Sequence, residues 1–241
     1  MPSTEPGDRI YAIGDIHGRH DLLKQLLDKI GEHSASLPRP RALHLVFLGD
    51  LIDRGPDSAK VVELVADLEI NTDQVIALMG NHEEAMCRSL EGDLTVLRKW
   101  LDVGGAQTIE SYGLQLPQPD ADLRRYVRYL NTSLPTEHTR WLRNLPLTAQ
   151  SGDYFFCHAG VRPGVPLNRQ TRDDLLWIRG DFIEADEDHG AVIVHGHTIS
   201  REVVRRSNRI GIDTGAYTTG LLSALYLEEN RQEVLFARAN S

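Results

Sequence analysis

Three apolar, β-rich runs alternate with three amphipathic helical stretches in the first 90 residues, and this order constrains the fold more than any other feature. Residues 9–14, 43–48 and 74–79 read as strands. Leu22, Leu23, Leu26, Leu27 and Ile30 recur at helical spacing over 21–31, and Val61, Val62, Leu64, Val65 and Leu68 do so over 58–68. A third helix opens at 83–90, and 34–41, with two prolines, reads as a loop. A β-α-β-α-β-α order predicts a mostly parallel sheet with helices packed on it.

Residues 91–144 change character. Leu94, Leu97, Trp100, Leu101 and, later, Leu123, Tyr126, Val127, Leu130 keep helical spacing, interrupted at Leu116-Pro117-Gln118-Pro119. This is read as a small helical insertion over one end of the sheet, placed where it can shape a substrate. The last third is β-rich again, with strand-like runs at 154–157, 191–194, 202–205, 209–212, 221–227 and 232–237, and a hairpin turn near Asn230. Such a run of strands suggests a second sheet packed face to face with the first. The expected architecture is α/β: one domain over 1–241, two packed mixed β-sheets flanked by helices, plus the insertion.

Composition narrows the function classes. The 241 residues are 41% hydrophobic and 25% charged, which supports a real core and excludes a disordered chain. The two cysteines, Cys87 and Cys157, cannot build a disulfide framework and suit a reducing compartment. No apolar run approaches the roughly 18 residues a membrane span needs, and the N-terminus is polar, so a cytoplasmic location away from membranes is expected. With 26 basic and 35 acidic residues the net charge is −9, which argues against nucleic acid as a partner. An anionic substrate is still compatible, because bound metal ions reverse the local sign.

The chemistry gathers at five strand ends. Each strand stops at a small residue and is followed by metal-competent side chains: Gly14-Asp15-Ile16-His17-Gly18, Gly49-Asp50-Leu51-Ile52-Asp53-Arg54-Gly55, Gly80-Asn81-His82-Glu83, Cys157-His158-Ala159-Gly160 and His195-Gly196-His197-Thr198. In open α/β sheets the ligand crevice lies outside the carboxyl ends of the strands, so these segments should converge. Asp15, His17, Asp50, Asn81, His158 and His197 form an oxygen and imidazole set without thiolate, suited to divalent Mn, Fe, Zn, Co or Ni. Six ligands are too many for one tetrahedral ion. With one carboxylate bridging, they fit two ions about 3.5–4 Å apart. Arg54 and Arg179 can fork onto phosphate oxygens. His82 can protonate a leaving oxygen, and Asp53 can fix its tautomer.

Asp15-x-His17-Gly, Gly49-Asp50-x-x-Asp53-Arg54-Gly55 and Gly80-Asn81-His82-Glu83, in that order, resemble the signature of the phosphoprotein phosphatases. These belong to the calcineurin-like metallophosphoesterases, and the bacterial and phage serine/threonine phosphatases are the nearest look-alikes. The later His158 and Gly196-His197 match the remaining ligand positions. The resemblance implies one metal held by Asp15, His17 and Asp50 and a second by Asp50, Asn81, His158 and His197, with manganese suited to reconstitution. It implies phosphate contacts from Arg54, Asn81, His82 and Arg179. His82 would be the general acid, supported by Asp53, and attack would be by metal-bound hydroxide directly on phosphorus. Asp213-Thr-Gly-Ala-Tyr217 stands where eukaryotic members carry Ser-Ala-Pro-Asn-Tyr. The chain also lacks their long extensions, so no regulatory subunit is implied.

Two substrate classes are compatible with such a centre. The first is a phosphorylated protein or peptide, or a small phosphoester, hydrolysed by a serine/threonine phosphatase; Asp53, Arg54 and Glu83 favour it. The second is a dinucleoside polyphosphate such as diadenosine tetraphosphate, with selectivity set by 91–144. A thiolate nucleophile at Cys157 is rejected, because Arg162 sits one residue short of the cysteine-phosphatase spacing and the thiol ends an apolar strand. His195, two residues from His197, is expected to point the same way and support the ligands. Trp100, Tyr112, Trp141 and Tyr217 read as packing residues, with adenine stacking left open.

Overall fold

In a computed structural model, which describes residues 1–239, the first three strands pair in parallel. β1 (Asp8–Ile13) lies beside β2 (Ala42–Phe47), and β2 beside β3 (Val75–Ala77). α1 (His20–Ala35) and α2 (Ser58–Asn71) are the crossovers, and α3 (Asn81–Leu90) follows β3. α1 runs past Gly31 into the expected loop, where His33 is held by the Tyr11 hydroxyl at 2.8 Å. β3 is shorter than expected because Met79 leaves the ladder and its N–H donates to the Pro146 carbonyl.

The stretch that follows is helical, as its spacing indicates: α4 (Leu94–Trp100), a π-type turn at Leu101–Gly105, α5 (Ala106–Ser111), α6 (Leu123–Ser133) and α7 (Thr136–Arg143). The Asp93 and Asp122 carboxylates cap the first turns of α4 and α6 by accepting backbone N–H groups. These helices pack on α2 and α3, at the same end of the first sheet as the strand-end loops.

β4 (Thr148–Ser151) and β5 (Tyr154–Cys157) open the second sheet, followed by α8 (Arg172–Trp177), α9 (Gly180–Ile183), β6 (Val192–His195), β7 (Val204–Arg205) and β8 (Arg209–Gly211). The strand order is β4-β5-β6-β8-β7. β4 is invisible to hydrophobic patterning, since Thr-Ala-Gln-Ser has no apolar alternation; it exists as an antiparallel partner for β5. β7 keeps only two residues of the expected 202–205 run. α10 (Ala216–Thr219) then leads into β9 (Leu221–Glu228) and β10 (Arg231–Arg238).

The late strands do not all join the second sheet. β9 and β10 form a hairpin that returns to the first, giving the order β10-β9-β1-β2-β3 with β9 antiparallel to β1. The crossovers leave one edge of β1 unpaired, and the hairpin covers it. Both sheets are therefore mixed, and helices flank them.

Side-chain alternation assigns each strand face. Ile10 and Ala12 of β1, with Val46, Tyr154, Phe156, Val194 and Leu225, fill the core between the sheets. Tyr11 and Ile13 point the other way, onto α1, α2 and the insertion helices. Phe155, Cys157 and Ile193 face the outer layer with Leu175 and Phe182. Among the described residues no helix is long and apolar enough to cross a membrane.

Candidate active site

The loops after β1, β2, β3, β5 and β6 meet in one cleft of about 330 Å³, lined by Asp15, His17, Asp50, Arg54, Asn81, His82, Arg179, His197 and Tyr217 among others. His158 lies just beneath, fully buried. Nine of the ten metal-ligand and catalytic candidates are thus brought to one place, and Asp53 joins them through its bond to His82.

The local backbone is unusual. His17, Asp50, Asp53, Arg54 and His197 all have positive φ, between 46° and 74°, a region non-glycine residues rarely adopt. The turns persist because hydrogen bonds over-determine them. The Asp50 carbonyl accepts the Ile16 and His17 N–H groups, and the Leu51 carbonyl accepts that of Gly18. The buried Glu83 carboxylate then accepts four backbone N–H groups: Asp50 at 2.8 Å, Leu51 at 2.8 Å, Ile52 at 3.2 Å and Gly80 at 2.9 Å. It locks the β2 and β3 turns together. Two glycines allow the close approach that follows. A Cβ at Gly196 would collide with the Asp15 carboxylate, and one at Gly80 with that of Asp50.

Asp50 is placed between two ligand sets. One carboxylate oxygen lies 3.5 Å from His17 Nε2, and the other lies 3.4 Å from His158 Nε2. The potential ligand atoms of Asp50, His158 and His197 all fall within 4.8 Å of one another, as do those of His17, Asp50 and His82. His17 Nδ1 is bonded to the Ile52 carbonyl at 2.8 Å and His158 Nδ1 to the Leu48 carbonyl at 2.9 Å. Each Nδ1 therefore carries the proton, and each Nε2 turns its lone pair inward. His158 Nε2 meets Asn81 Oδ1 at 2.8 Å, so two acceptors face each other where a cation would reconcile them.

The electrostatics fit the same conclusion. Burial drives the pKa of His17 down to about 3 and, helped by His158, that of His197 to about 2. These imidazoles are neutral at pH 7, as ligands must be. Burial and the neighbouring Asp213 and Asp50 carboxylates raise Asp15 well above the carboxylate range. Burial would raise Asp50 too, but the surrounding histidines, His158 first, hold it low. Burial and Asp50 push Glu83 up to about 7, and burial pushes Asp213 up to about 6. Buried carboxylates crowded beside neutral imidazoles are what divalent cations stabilise, so the donor set fits two of them.

His82 is held on one side by Asp53, whose Oδ2 accepts from Nδ1 at 2.6 Å; on the other, Arg54 Nη2 lies 3.0 Å from Nε2. Burial lowers the His82 pKa, but Asp50 and Asp53 outweigh it and leave it above the ordinary value. Asp53 is itself gripped by Trp100 Nε1 at 2.8 Å and Thr108 Oγ1 at 2.6 Å, both from the helical insertion. Arg179 Nε donates to His197 Nε2 at 3.0 Å. The Arg54 guanidinium stacks 4.6 Å above the Tyr217 ring, which brings Tyr217 into the cleft wall.

His195 does not share the direction of His197. β6 ends at His195, and the positive φ of His197 breaks the alternation. His195 instead packs edge-on against Phe182 at 5.0 Å, behind the cleft. Cys157 is fully buried in the outer core, and burial raises its thiol pKa, leaving it inert. Sequence reasoning missed the clamp role of Glu83, the grip of Trp100 and Thr108 on Asp53, and two further wall residues. These are Asp213 and Thr198, whose buried Oγ1 has no hydrogen-bond partner among the described residues. Only the Gly80-Asn81-His82-Glu83 motif offered a signal for any of them.

Paired metal positions sharing one carboxylate, with two guanidinium groups and an imidazole facing them, define a dinuclear centre for hydrolysing phosphate bonds. The chain belongs to the calcineurin-like phosphoesterase family, whose model matches residues 8–224. It is similar to bis(5'-nucleosyl)-tetraphosphatase PrpE [asymmetrical] of Bacillus thuringiensis (strain Al Hakam), 27% identical over 233 residues that cover 90% of this chain and 89% of the relative. The protein of the same description from Geobacillus sp. (strain WCH70) is 28% identical over 239 residues, 92% of this chain and 91% of the relative. A crystal structure of a putative diadenosine tetraphosphatase shares the fold with a TM-score of 0.65 at 20% identity, covering 100% of both chains.

Proposed function

We propose that this metal-dependent phosphoesterase hydrolyses dinucleoside polyphosphates, cutting a phosphoanhydride and releasing two nucleotides. The observation that carries this reading is a second groove of about 520 Å³ that continues from the metal cleft. It shares Arg54, Asn81, His82 and Arg179 with the cleft and runs along α3 and α4 to Val96, Val103 and Trp177. A small phosphomonoester needs no such extension. A dinucleoside polyphosphate has sugars, bases and further phosphates to place. The descriptions of the PrpE relatives support the same choice.

Of Asp53, Arg54 and Glu83, which by their motif favour a serine/threonine phosphatase, Asp53 and Glu83 do not separate the two readings once their contacts are known. Asp53 orients His82, and Glu83 fastens the turns behind Asp50. Neither lines the metal cleft, so both serve either reaction.

In this reading Asp15, His17 and Asp50 hold one ion, and Asp50, Asn81, His158 and His197 hold the other. Divalent ions bound there would supply Lewis acidity, lowering the pKa of water and offsetting phosphate charge. Arg54 and Arg179 grip the non-bridging phosphate oxygens. His82 delivers a proton to the departing oxygen, and Asp53 holds its Nδ1 so that Nε2 faces the cleft.

A side-by-side turnover assay in Mn²⁺, with diadenosine tetraphosphate and a phosphothreonine peptide at matched concentration, tests the reading against metal-free protein. A larger kcat/KM for the dinucleotide, lost without metal, is expected. Dominance of the peptide would overturn the substrate assignment in favour of the protein phosphatase.

A further inference from the structure

We propose that Trp177 is the platform on which one nucleobase of the substrate stacks, an inference that rests on the reading of the substrate as a nucleotide. Trp177 closes α8, two residues before Arg179, and its side chain is 46% exposed beside the metal cleft. Tryptophan at such a position normally covers its ring. Here the ring edge is fixed while the residue stays half-exposed and lines the groove. Nε1 donates to Glu84 Oε2 at 2.8 Å, and the other oxygen of that buried carboxylate accepts from Arg172 Nε at 2.7 Å. The indole is therefore oriented before any ligand arrives, which lowers the ordering cost of a stack.

The position suits a nucleotide. The Trp177 ring lies 6.4 Å from the ring of His197, edge-on, so a base stacked on it is close to the phosphate site. Val96 and Val103 of the insertion line the same groove and offer apolar surface, and Lys99 and Arg88 line it with cations that can meet further phosphates. An aromatic face at one end of a charged cleft matches a planar base linked through a sugar to phosphate. Every base has a π-face, so the platform tolerates more than one base and favours the larger purines.

The test compares adenosine 5'-monophosphate with ribose 5-phosphate as competitive inhibitors of p-nitrophenyl phosphate turnover in Mn²⁺. The two ligands share the phosphate and sugar and differ only in the base. Their Ki ratio within one variant is therefore independent of how much active enzyme that variant yields. Stacking on an aromatic side chain predicts a ratio of about 5 to 150 in the wild type. Trp177→Ala should bring the ratio close to 1, and Trp177→Phe should retain part of it. Quenching of tryptophan fluorescence by adenosine 5'-monophosphate should likewise be lost in Trp177→Phe. A wild-type ratio near 1, or an unchanged ratio in Trp177→Ala, overturns the proposal. A high ratio that collapses in Trp177→Ala, in an enzyme that nevertheless prefers the phosphopeptide to diadenosine tetraphosphate, upholds the platform and refutes the substrate reading alone.

Discussion

Glu83→Gln tests whether one buried carboxylate holds the metal turns together. The substitution keeps volume and shape but converts one acceptor oxygen into an NH₂ donor. Each Glu83 oxygen accepts two backbone N–H groups, Oε2 from Asp50 and Gly80 and Oε1 from Leu51 and Ile52. Whichever way the amide turns, two buried N–H groups then face another donor. Hydrogen bonds to a charged acceptor contribute about 1.5–3 kcal/mol each, and an unsatisfied buried donor costs about 1–3 kcal/mol. Counting each lost pair once, the expected destabilisation is about 3–6 kcal/mol. For a chain of this size that lowers Tm by about 6–24 °C. The measurement is thermal unfolding in Mn²⁺ at pH 8, above the value of about 7 to which the Glu83 pKa is pushed, so the wild-type group is ionised. Glu63→Gln, on the exposed face of α2, is the control and should shift stability by no more than about 0.5 kcal/mol. The same turns carry Asp50 and Asn81, so Glu83→Gln should also bind less than the wild-type metal content. A Tm within 2 °C of wild type by the ~1 kcal/mol criterion, with full metal content, would show that the turns do not depend on this carboxylate.

His82→Asn should slow phenyl phosphate hydrolysis by about 10²–10⁴, and p-nitrophenyl phosphate or a phosphoanhydride much less, because better leaving groups need less protonation. Equal losses on all three substrates would remove His82 as the acid. Trp100→Phe deletes one of the donors to Asp53 and should lower kcat for phenyl phosphate by up to about 10-fold, with KM unaltered; a change confined to KM would contradict a positioning role. Glu83 at about 7 and Asp213 at about 6 both lie above their unfolded values, so their stabilising contribution is present at low pH and is lost as pH rises through the folded values. His17 at about 3 and His197 at about 2 lie below their unfolded values and give the opposite slope up to about pH 6.5, so the two effects oppose each other and the Tm of EDTA-treated protein should change little between about pH 4 and pH 6. Mn²⁺ affinity, read by calorimetry, should rise over the same window as ions displace protons, and an affinity that is flat or falls there would contradict the assignment.

The readable parts of the chain were those where one local period decides the outcome. β1, α1, β2 and α2 follow from apolar residues recurring at two or at 3.6, because each element buries one continuous face. The ligand set was readable for a related reason. Asp15, Asp50, Asn81, His158 and His197 all lie one to four residues past the end of a strand, and the sheet topology carries those strand ends to one edge. What escaped depends on partners distant in sequence. β4 has no pattern of its own and is a strand only because β5 lies beside it. β9 and β10 are plainly strands, yet nothing in their residues says which sheet has a free edge for them. The positive φ of Asp50, Asp53, Arg54 and His17 is uncommon for any residue but glycine, and it is held by hydrogen bonds across loops.

The helical insertion shows most clearly how a bland sequence reading can understate a segment. Its apolar spacing indicates packing over one end of the sheet and leaves a substrate-shaping role open. In three dimensions, Trp100 and Thr108 hold the carboxylate that orients His82. The backbone carbonyl of Gly104, at φ 127°, accepts the Arg54 N–H, and a Cβ at Gly104 would press into Arg54. The same segment contributes Val96, Lys99 and Val103 to the groove beside the metals. A single segment thus sets the angle of His82, the position of the Arg54 guanidinium and one wall of the groove beside the cleft. Chemistry and selectivity are therefore not separable here. A substitution in α4 or in the π-type turn that repacks the groove also shifts Asp53 or Arg54, so kcat and substrate preference should change together.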